Sequence, residues 1–263
     1  CSGDLEKRKM NSQVNIIPLM NFQHGYKLDL FIMHICSSDF VVICDDDIFF
    51  LNEEPLSWAK EELVKNKNLA VVSLFPRPSI PERLDNYKKL FNSPNANNLN
   101  IETLMGSYCL VIRREIWIEQ GLSFQMYKPK NWQEVGNYFD TADYANLQLI
   151  DSGYEILIAP TNIREKLVCF TSISLWGLRI QETMGNISQI IRPRPNEYDK
   201  AYRTAITLKK LNEYLFINNF QNVTLNQEYI MRTIKICESE MKESARKEIN
   251  KDVMKKFNIL IKK

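Results

Sequence analysis

The run Phe40-Val-Val-Ile-Cys44, followed by Asp45-Asp46-Asp47 and then Ile48-Phe49-Phe50, constrains the fold more than any other stretch of the chain. An apolar run this short and rich in β-branched residues suits a covered strand rather than a helix. The acids then fall at the strand's C-terminal end, where open α/β sheets bind ligands. Two carboxylates ~5 Å apart repel by about 3 kcal/mol at an effective dielectric of about 20, so a run of them calls for water, a base or a divalent cation. Side chains alternate along an extended chain, which puts Asp45 and Asp47 on one side and Asp46 on the other. Such a pair suits a hard, oxygen-seeking cation, Mg²⁺ or Mn²⁺. A solvated turn is the plain alternative, but it has little use for Ile48, Phe49 and Phe50 directly after it.

Further strands and helices alternate around this one. Val14 to Leu19 reads as a first strand, and Gly25 to Ser37 as a helix whose Leu28, Phe31, Ile32 and Ile35 recur at three- and four-residue spacing. Pro55 suits a first helical turn and Trp58, Leu63 and Val64 line a helix to about Asn66, before the apolar run Ala70 to Phe75. This order predicts an α/β fold with a mostly parallel sheet. From Pro76 to Glu102 prolines and asparagines dominate, as in a binding loop or lid. Tyr108 to Arg113 returns to strand, Glu115 to Gln120 is a short helix, and Gly121 to Tyr138 is a loop carrying Phe124, Tyr127, Trp132 and Tyr138.

A second acidic site lies in Tyr138-Phe-Asp140-Thr-Ala-Asp143-Tyr144, which opens a helix to Ser152, closed by Gly153 before the strand Tyr154 to Ala159. Asp140 at the N-cap with Asp143 three residues on is a capping arrangement that needs no function. A carboxylate held at a helix start can also accept a proton, so both readings stand.

The residue inventory removes several chemistries. Eight glycines form neither a dinucleotide fingerprint nor a phosphate loop, and no Gly-x-Ser-x-Gly elbow is present. With only His24 and His34, zinc chemistry and a Ser-His-Asp triad lack material, and His34 reads as a packed helix residue. Carboxylates with a cation are left to carry any reaction. The formal net charge of +2 gives no reason to expect nucleic acid, although Lys242 to Lys263 is rich in Lys and Arg and offers either an anion-facing surface or a solvated helix face. Cys1, Cys36, Cys44, Cys109, Cys169 and Cys237 lack close spacing and read as reduced core thiols of a cytoplasmic protein. The glycosylation sequons at Asn186 and Asn222 mean nothing without secretion, and no stretch reads as a signal peptide or membrane span.

Taken in order, the helix Gly25-Tyr-Lys-Leu-Asp29, the strand ending Asp45-Asp46-Asp47, the strand opening Gly106-Ser107 with Arg113-Arg114 at its end, and Asp140-Thr-Ala-Asp143 running into Gly153-Tyr154 resemble glycosyltransferases of the GT-A fold, especially the large inverting group that builds polysaccharides. The resemblance covers Val14 to Pro160 and implies a Rossmann-related, mostly parallel sheet flanked by helices. It implies that Asp45 and Asp47 hold Mn²⁺ or Mg²⁺, that Lys27, Asp45 and Asp46 contact the nucleotide-sugar donor, and that Asp140 or Asp143 is the base for a glycan or lipid-linked acceptor hydroxyl. Two departures stand out. Only 44 residues precede Asp45, fewer than the family's nucleobase segment needs, and the family's late histidine has no counterpart in Val168 to Leu178. Arg192 and Arg194 around Pro193 offer a diphosphate contact or a plain surface turn. With Cys1 at the start and a polar opening, the chain reads as lacking part of an N-terminal nucleotide-binding region.

The expected division is a catalytic domain over 1–195 and a helical extension over 196–263. In the latter, Ala201, Ala205, Leu208, Leu211 and Leu215 form one stripe and Ile230, Ile234, Cys237 and Met241 another. The stripes leave open packing on the catalytic domain, an oligomer contact and a peripheral contact at the inner face of a membrane. A phosphoryl-transfer enzyme or phosphoesterase using the same aspartates, and an inactive transferase-like interaction module, remain the other functional readings.

Overall fold

The computed structural model describes residues 24–45, 47–76, 104–125, 141–170, 197–217 and 227–262. The chain divides into two compact units: Cys1–Cys44 with Leu56–Pro160, and Asp45–Pro55 with Thr161–Lys263. The boundary expected after residue 195 falls inside the second unit. The strand read at Val14 to Leu19, the loop from residue 77 to 102, and Tyr127, Trp132, Tyr138, Arg192, Pro193, Arg194 and both sequons lie outside the described residues.

The first unit is a mixed α/β arrangement around a sheet of β1 (Phe40–Cys44), β3 (Leu69–Ser73), β4 (Cys109–Arg113) and β5 (Glu155–Ile158), in the order β1-β4-β3-β5. Every residue of β3 is buried, as expected of an inner strand with a continuous apolar run. β1 instead alternates, with Val41 and Ile43 buried and Val42 and Cys44 exposed, which fits its place at the end of the order. β4 is antiparallel to both β1 and β3, and β5 is parallel to β3. It follows that β1, β3 and β5 all point one way and only β4 is reversed. The expected mostly parallel sheet therefore holds for strand direction but not for the ladders, of which the β3–β5 pair alone is parallel in this sheet. The cause is local: Leu74 N donates to Cys109 O at 3.0 Å and Pro76 bridges to Met105, so the chain re-enters at the edge it left and must run back.

Helices cover this sheet. α1 (His24–Leu30) passes into a π-helical turn, Phe31–Ile35, closed by a Cys36 N–H to Phe31 carbonyl bond of 2.8 Å. The wider turn interrupts the apolar stripe: Ile32 is buried, Leu28 and Phe31 pack on the core, and Ile35 is turned out to solvent. α2 (Glu54–Lys65) starts within the second unit and continues into the first. α3 (Arg114–Glu119) follows β4 directly, and α4 (Asp143–Asp151) leads through Gly153, in the left-handed region at φ 78°, to β5. Arg113 donates to the carbonyls of Leu63, Asn66 and Leu69, closing the end of α2, while Arg114 donates to Ile32 O at 2.8 Å and Met33 O at 3.2 Å. The paired arginines thus serve helix ends. Trp117 stacks on Phe124 with ring centroids 4.4 Å apart in the core formed with Ile32, Ile43, Leu110 and Ile112.

In the second unit β2 (Ile48–Phe50) pairs antiparallel with β6 (Leu167–Cys169), which follows the short α5 (Thr161–Arg164). Three longer helices follow: α6 (Tyr198–Ile217), α7 (Gln227–Glu240) and α8 (Glu243–Ile261). The expected stripes face their core, with Ala201, Ala205, Leu208, Ile230, Ile234 and Cys237 buried and Leu211 and Met241 at its margin; Leu215 lies outside the described side chains. The basic stretch after Lys242 is the solvated face of α8, whose Ile249, Val253 and Phe257 join the same core. Arg203 bonds Asp252 across α6 and α8, and Asn250 Nδ2 donates to Tyr202 OH at 3.2 Å. Among the described residues no helix is long and apolar enough to cross a membrane. Of the described cysteines, Cys109 and Cys237 are buried and Cys36 and Cys169 half-buried, but Cys44 is exposed rather than in the core because β1 points it outward.

Candidate functional site

Shared strand direction gives the first unit one edge where β1, β3 and β5 all end and β4 begins. Met105 and Gly106 lie at this edge: Gly106 N–H donates to Ser73 Oγ at 3.2 Å, just past the bridge to Pro76. Asn146 on α4 clasps Met105, accepting from its N–H at 2.9 Å and donating to its carbonyl at 3.1 Å, and donates also to Ala142 O at 3.1 Å. The clasp holds the first turn of α4, and with it Asp143, at the carboxyl edge of the sheet.

Asp143 is the first helical residue and is only 1% exposed. The expected capping arrangement is not what starts this helix. The N-cap is Ala142, in the left-handed region at φ 70° and without a side-chain cap bond, and not Asp140, which lies outside the described residues. A buried non-glycine residue held there costs about 1–2 kcal/mol, and such strain concentrates at functional sites.

Lys27 is half-buried on α1. Two residues on, Asp29 is 5% exposed and accepts from Ser123 Oγ at 2.6 Å, Phe124 N–H at 2.8 Å and Gln125 Nε2 at 3.3 Å. One turn earlier Gly25 makes the approach possible, since a Cβ there would stand 2.3 Å from Phe124 O. Gly25 and Asp29 share a helix face at i, i+4. Asn146 carried no signal in the sequence, because its partner lies 41 residues away. His34, expected to be packed, is exposed on the π turn.

In the second unit the acidic residues form a turn. Ile48 N–H donates to Asp45 O at 3.3 Å, so the alternation of an extended chain does not set the facing of Asp45 and Asp47, and Asp46 lies outside the described residues. Asp45 is half-buried; Asp47 is 5% exposed, its carbonyl accepts from Phe170 N–H at 3.1 Å, and its carboxylate accepts from the Cys169 thiol at 4.0 Å. Ile48 is buried behind it and Phe49 meets Phe170 edge-on at 5.6 Å. A turn made only for solvent would leave Asp47 outside.

Among the described residues no group of three or more His, Cys, Asp or Glu side chains is arranged to hold a metal ion. The carboxylates of Asp45 and Asp47 therefore do not make a closed protein cage. As a donor set they fit Mg²⁺ or Mn²⁺, which keep waters and substrate phosphates alongside one or two carboxylates. Asp45 and Asp47 lie in one turn of the second unit, whereas Asp143 and Lys27 belong to the first. No protein-family model, curated protein or solved structure matches this chain.

Proposed function

We propose that the chain is a metal-dependent glycosyltransferase of the GT-A type, moving a sugar from a nucleotide-sugar donor to a hydroxyl of a glycan or lipid-linked acceptor. One observation carries the reading: three strands of the first unit end at a single sheet edge, and that edge holds Asp143 on the first turn of α4. Ligands of α/β sheets bind at such carboxyl ends. The burial of Asp47 supports the reading, because an acid withdrawn from water is costly to keep without a role.

In this reading Asp45 and Asp47 hold the cation, with Asp45, Asp46 and Lys27 contacting the donor. When bound, Mn²⁺ or Mg²⁺ supplies charge neutralisation for the leaving diphosphate. Asp143, or Asp140 three residues before it, takes the proton from the acceptor hydroxyl as the sugar carbon gains oxocarbenium character.

The test is nucleotide release from a panel of UDP-, GDP- and CMP-sugars with Mn²⁺ and simple glycoside acceptors. D47N is expected to lose at least ~100-fold in turnover, the lower range for a group acting in the transition state, with its melting midpoint retained. Full activity of D47N refutes the assignment. Phosphate release from a generic ester without nucleotide-sugar turnover would favour a phosphoesterase instead.

A further inference from the structure

Strand register in the first unit sets two cysteines against each other. Cys44, the last residue of β1, stands directly opposite Cys109, the first residue of β4, in their antiparallel ladder. Opposed residues of such a ladder alternate between hydrogen-bonded and non-hydrogen-bonded pairs, so one bond fixes the kind of every pair. Arg114 N–H donates to Asp39 O at 2.9 Å, one step beyond the Phe40–Arg113 pair, and so Asp39 and Arg114 are a hydrogen-bonded pair. Counting along the ladder, Val41 with Ile112 and Ile43 with Leu110 are of that kind, whereas Val42 with Val111 and Cys44 with Cys109 are not. The other side of β4 agrees: Leu74 N–H donates to Cys109 O at 3.0 Å, which turns the Cys109 carbonyl towards β3 and away from β1.

A non-hydrogen-bonded pair brings its side chains closest, with Cα atoms about 4.5 Å apart, inside the ~4.4–6.8 Å range of disulfides. Both cysteine side chains leave the sheet on one face, the face away from the core residues Val41, Ile43, Leu110 and Ile112. At the other end of the ladder a pair of the same kind is in contact, the Arg113 guanidinium lying over the Phe40 ring 5.4 Å from its centroid. The two thiols differ in access. Cys44 is exposed on the strand at the end of the order, Cys109 is fully buried beside it, and both are reduced in this structure.

We infer that Cys44 and Cys109 are a redox-responsive pair that closes a reversible cross-strand disulfide, with a small-molecule disulfide such as oxidised glutathione as the oxidant. Cys44, as its thiolate, attacks one sulfur of the oxidant; a Cys44–glutathione bond forms and one glutathione leaves as a thiolate. Cys109 then attacks Cys44 Sγ, the mixed disulfide breaks, and the second glutathione leaves with the Cys109 proton. Two protein thiols are oxidised and one disulfide is reduced to two thiols. The exposed sulfur receives the oxidant, and the buried one resolves the adduct. Because Cys44 is open to solvent, a reducing thiol can reach the bond from the same side and open it again. The cross-link ties β1 to β4 at the residue immediately before Asp45. It rests on ladder register and does not need the transferase reading.

Equilibration of the full chain with oxidised glutathione, followed by acid quenching and peptide mapping by mass spectrometry, tests it. The expected product is a linked Cys44–Cys109 peptide, lighter than its parts by two hydrogens, formed faster in the folded chain than in urea and removed by dithiothreitol. C109S should hold at least ~10-fold more glutathione adduct on Cys44 than the parent, because nothing resolves it. C44S, at an exposed position, should keep its melting midpoint and lose the linked peptide, which holds the test open should C109S not fold. No linked peptide, a Cys44 link to Cys36 or Cys169 in place of Cys109, or a link that forms only in urea would each overturn the inference.

Discussion

Replacing Gly25 by alanine would put a methyl carbon 2.3 Å from the Phe124 carbonyl oxygen, 2.6 Å from its carbonyl carbon and 2.8 Å from Gln125 Cα. All three are backbone atoms, so no side-chain rotation relieves the contact. To restore ordinary separation the 123–125 segment must retreat by about 1 Å, which breaks the bonds that Ser123 and Phe124 donate to Asp29 at 2.6 and 2.8 Å. Overpacking costs about 1–3 kcal/mol and lost bonds to a buried carboxylate about 1.5–3 kcal/mol. Alanine's better helix propensity returns at most ~1 kcal/mol. The net is a loss of about 1.5–5 kcal/mol, or on the order of 10 °C in midpoint. Urea unfolding of G25A measures it. G153A is the control: its φ of 78° strains a side chain but nothing stands within 4 Å, so about 1–2 kcal/mol is expected. G25A as stable as the parent, or a loss no larger than in G153A, would refute the close approach and the Asp29 clasp.

Asn146→Ala should cost about 2–4 kcal/mol, because Met105 N–H and C=O are left buried without their partner, and in the proposed enzyme it should lower turnover beyond the stability loss; chemical unfolding with parallel kinetics checks both. Burial pushes the Cys237 thiol from 9.0 up to about 12, with Glu238 adding to the shift. The unfolded thiol ionises before the folded one, so this contribution is fully present below pH 9 and stability should decline as pH rises from 9 towards 12, with a shallower decline in C237A; equal slopes would count against it. Thiol labelling of the folded protein should modify exposed Cys44 well before buried Cys109 and Cys237, as mass spectrometry of timed samples would register.

Much of the strand and helix content could be read from the chain because it rests on local pattern. The β-branched run of β1, the Pro55 start of α2 and the apolar stripes of α6 and α7 appear where their periodicity put them. The reversal of β4 could not be read, since the residues that turn the chain back, Pro76 and Met105, pair across a proline- and asparagine-rich connection with no periodic signal. The π turn was hidden because an added residue leaves i, i+3, i+4 spacing in the letters while turning Ile35 away from the core. At the candidate site the acids were conspicuous and their geometry was not. Alternation suggested an extended Asp45 to Asp47, whereas the Asp45–Ile48 bond closes a turn. Capping grammar favoured Asp140, whereas the helix opens at Asp143 behind a left-handed alanine whose carbonyl accepts from Asn146 Nδ2. Asp29 was visible only as a letter in a helix, because its partners come from a loop about 95 residues on.

The proposed transferase depends on a joint grip of Asp45 and Asp47 on a divalent cation and the donor diphosphate. It is tested most directly by thermal unfolding of the full chain against the sugar-nucleotide panel, with and without Mn²⁺. A ligand that binds only the folded state at ~100 times its Kd adds about 2.7 kcal/mol of stability. The account predicts that at least one sugar nucleotide raises the midpoint by ~5 °C or more when Mn²⁺ is present, that neither component does so alone, and that D47N abolishes the shift. No shift with any donor, or the same shift in D47N, would contradict it.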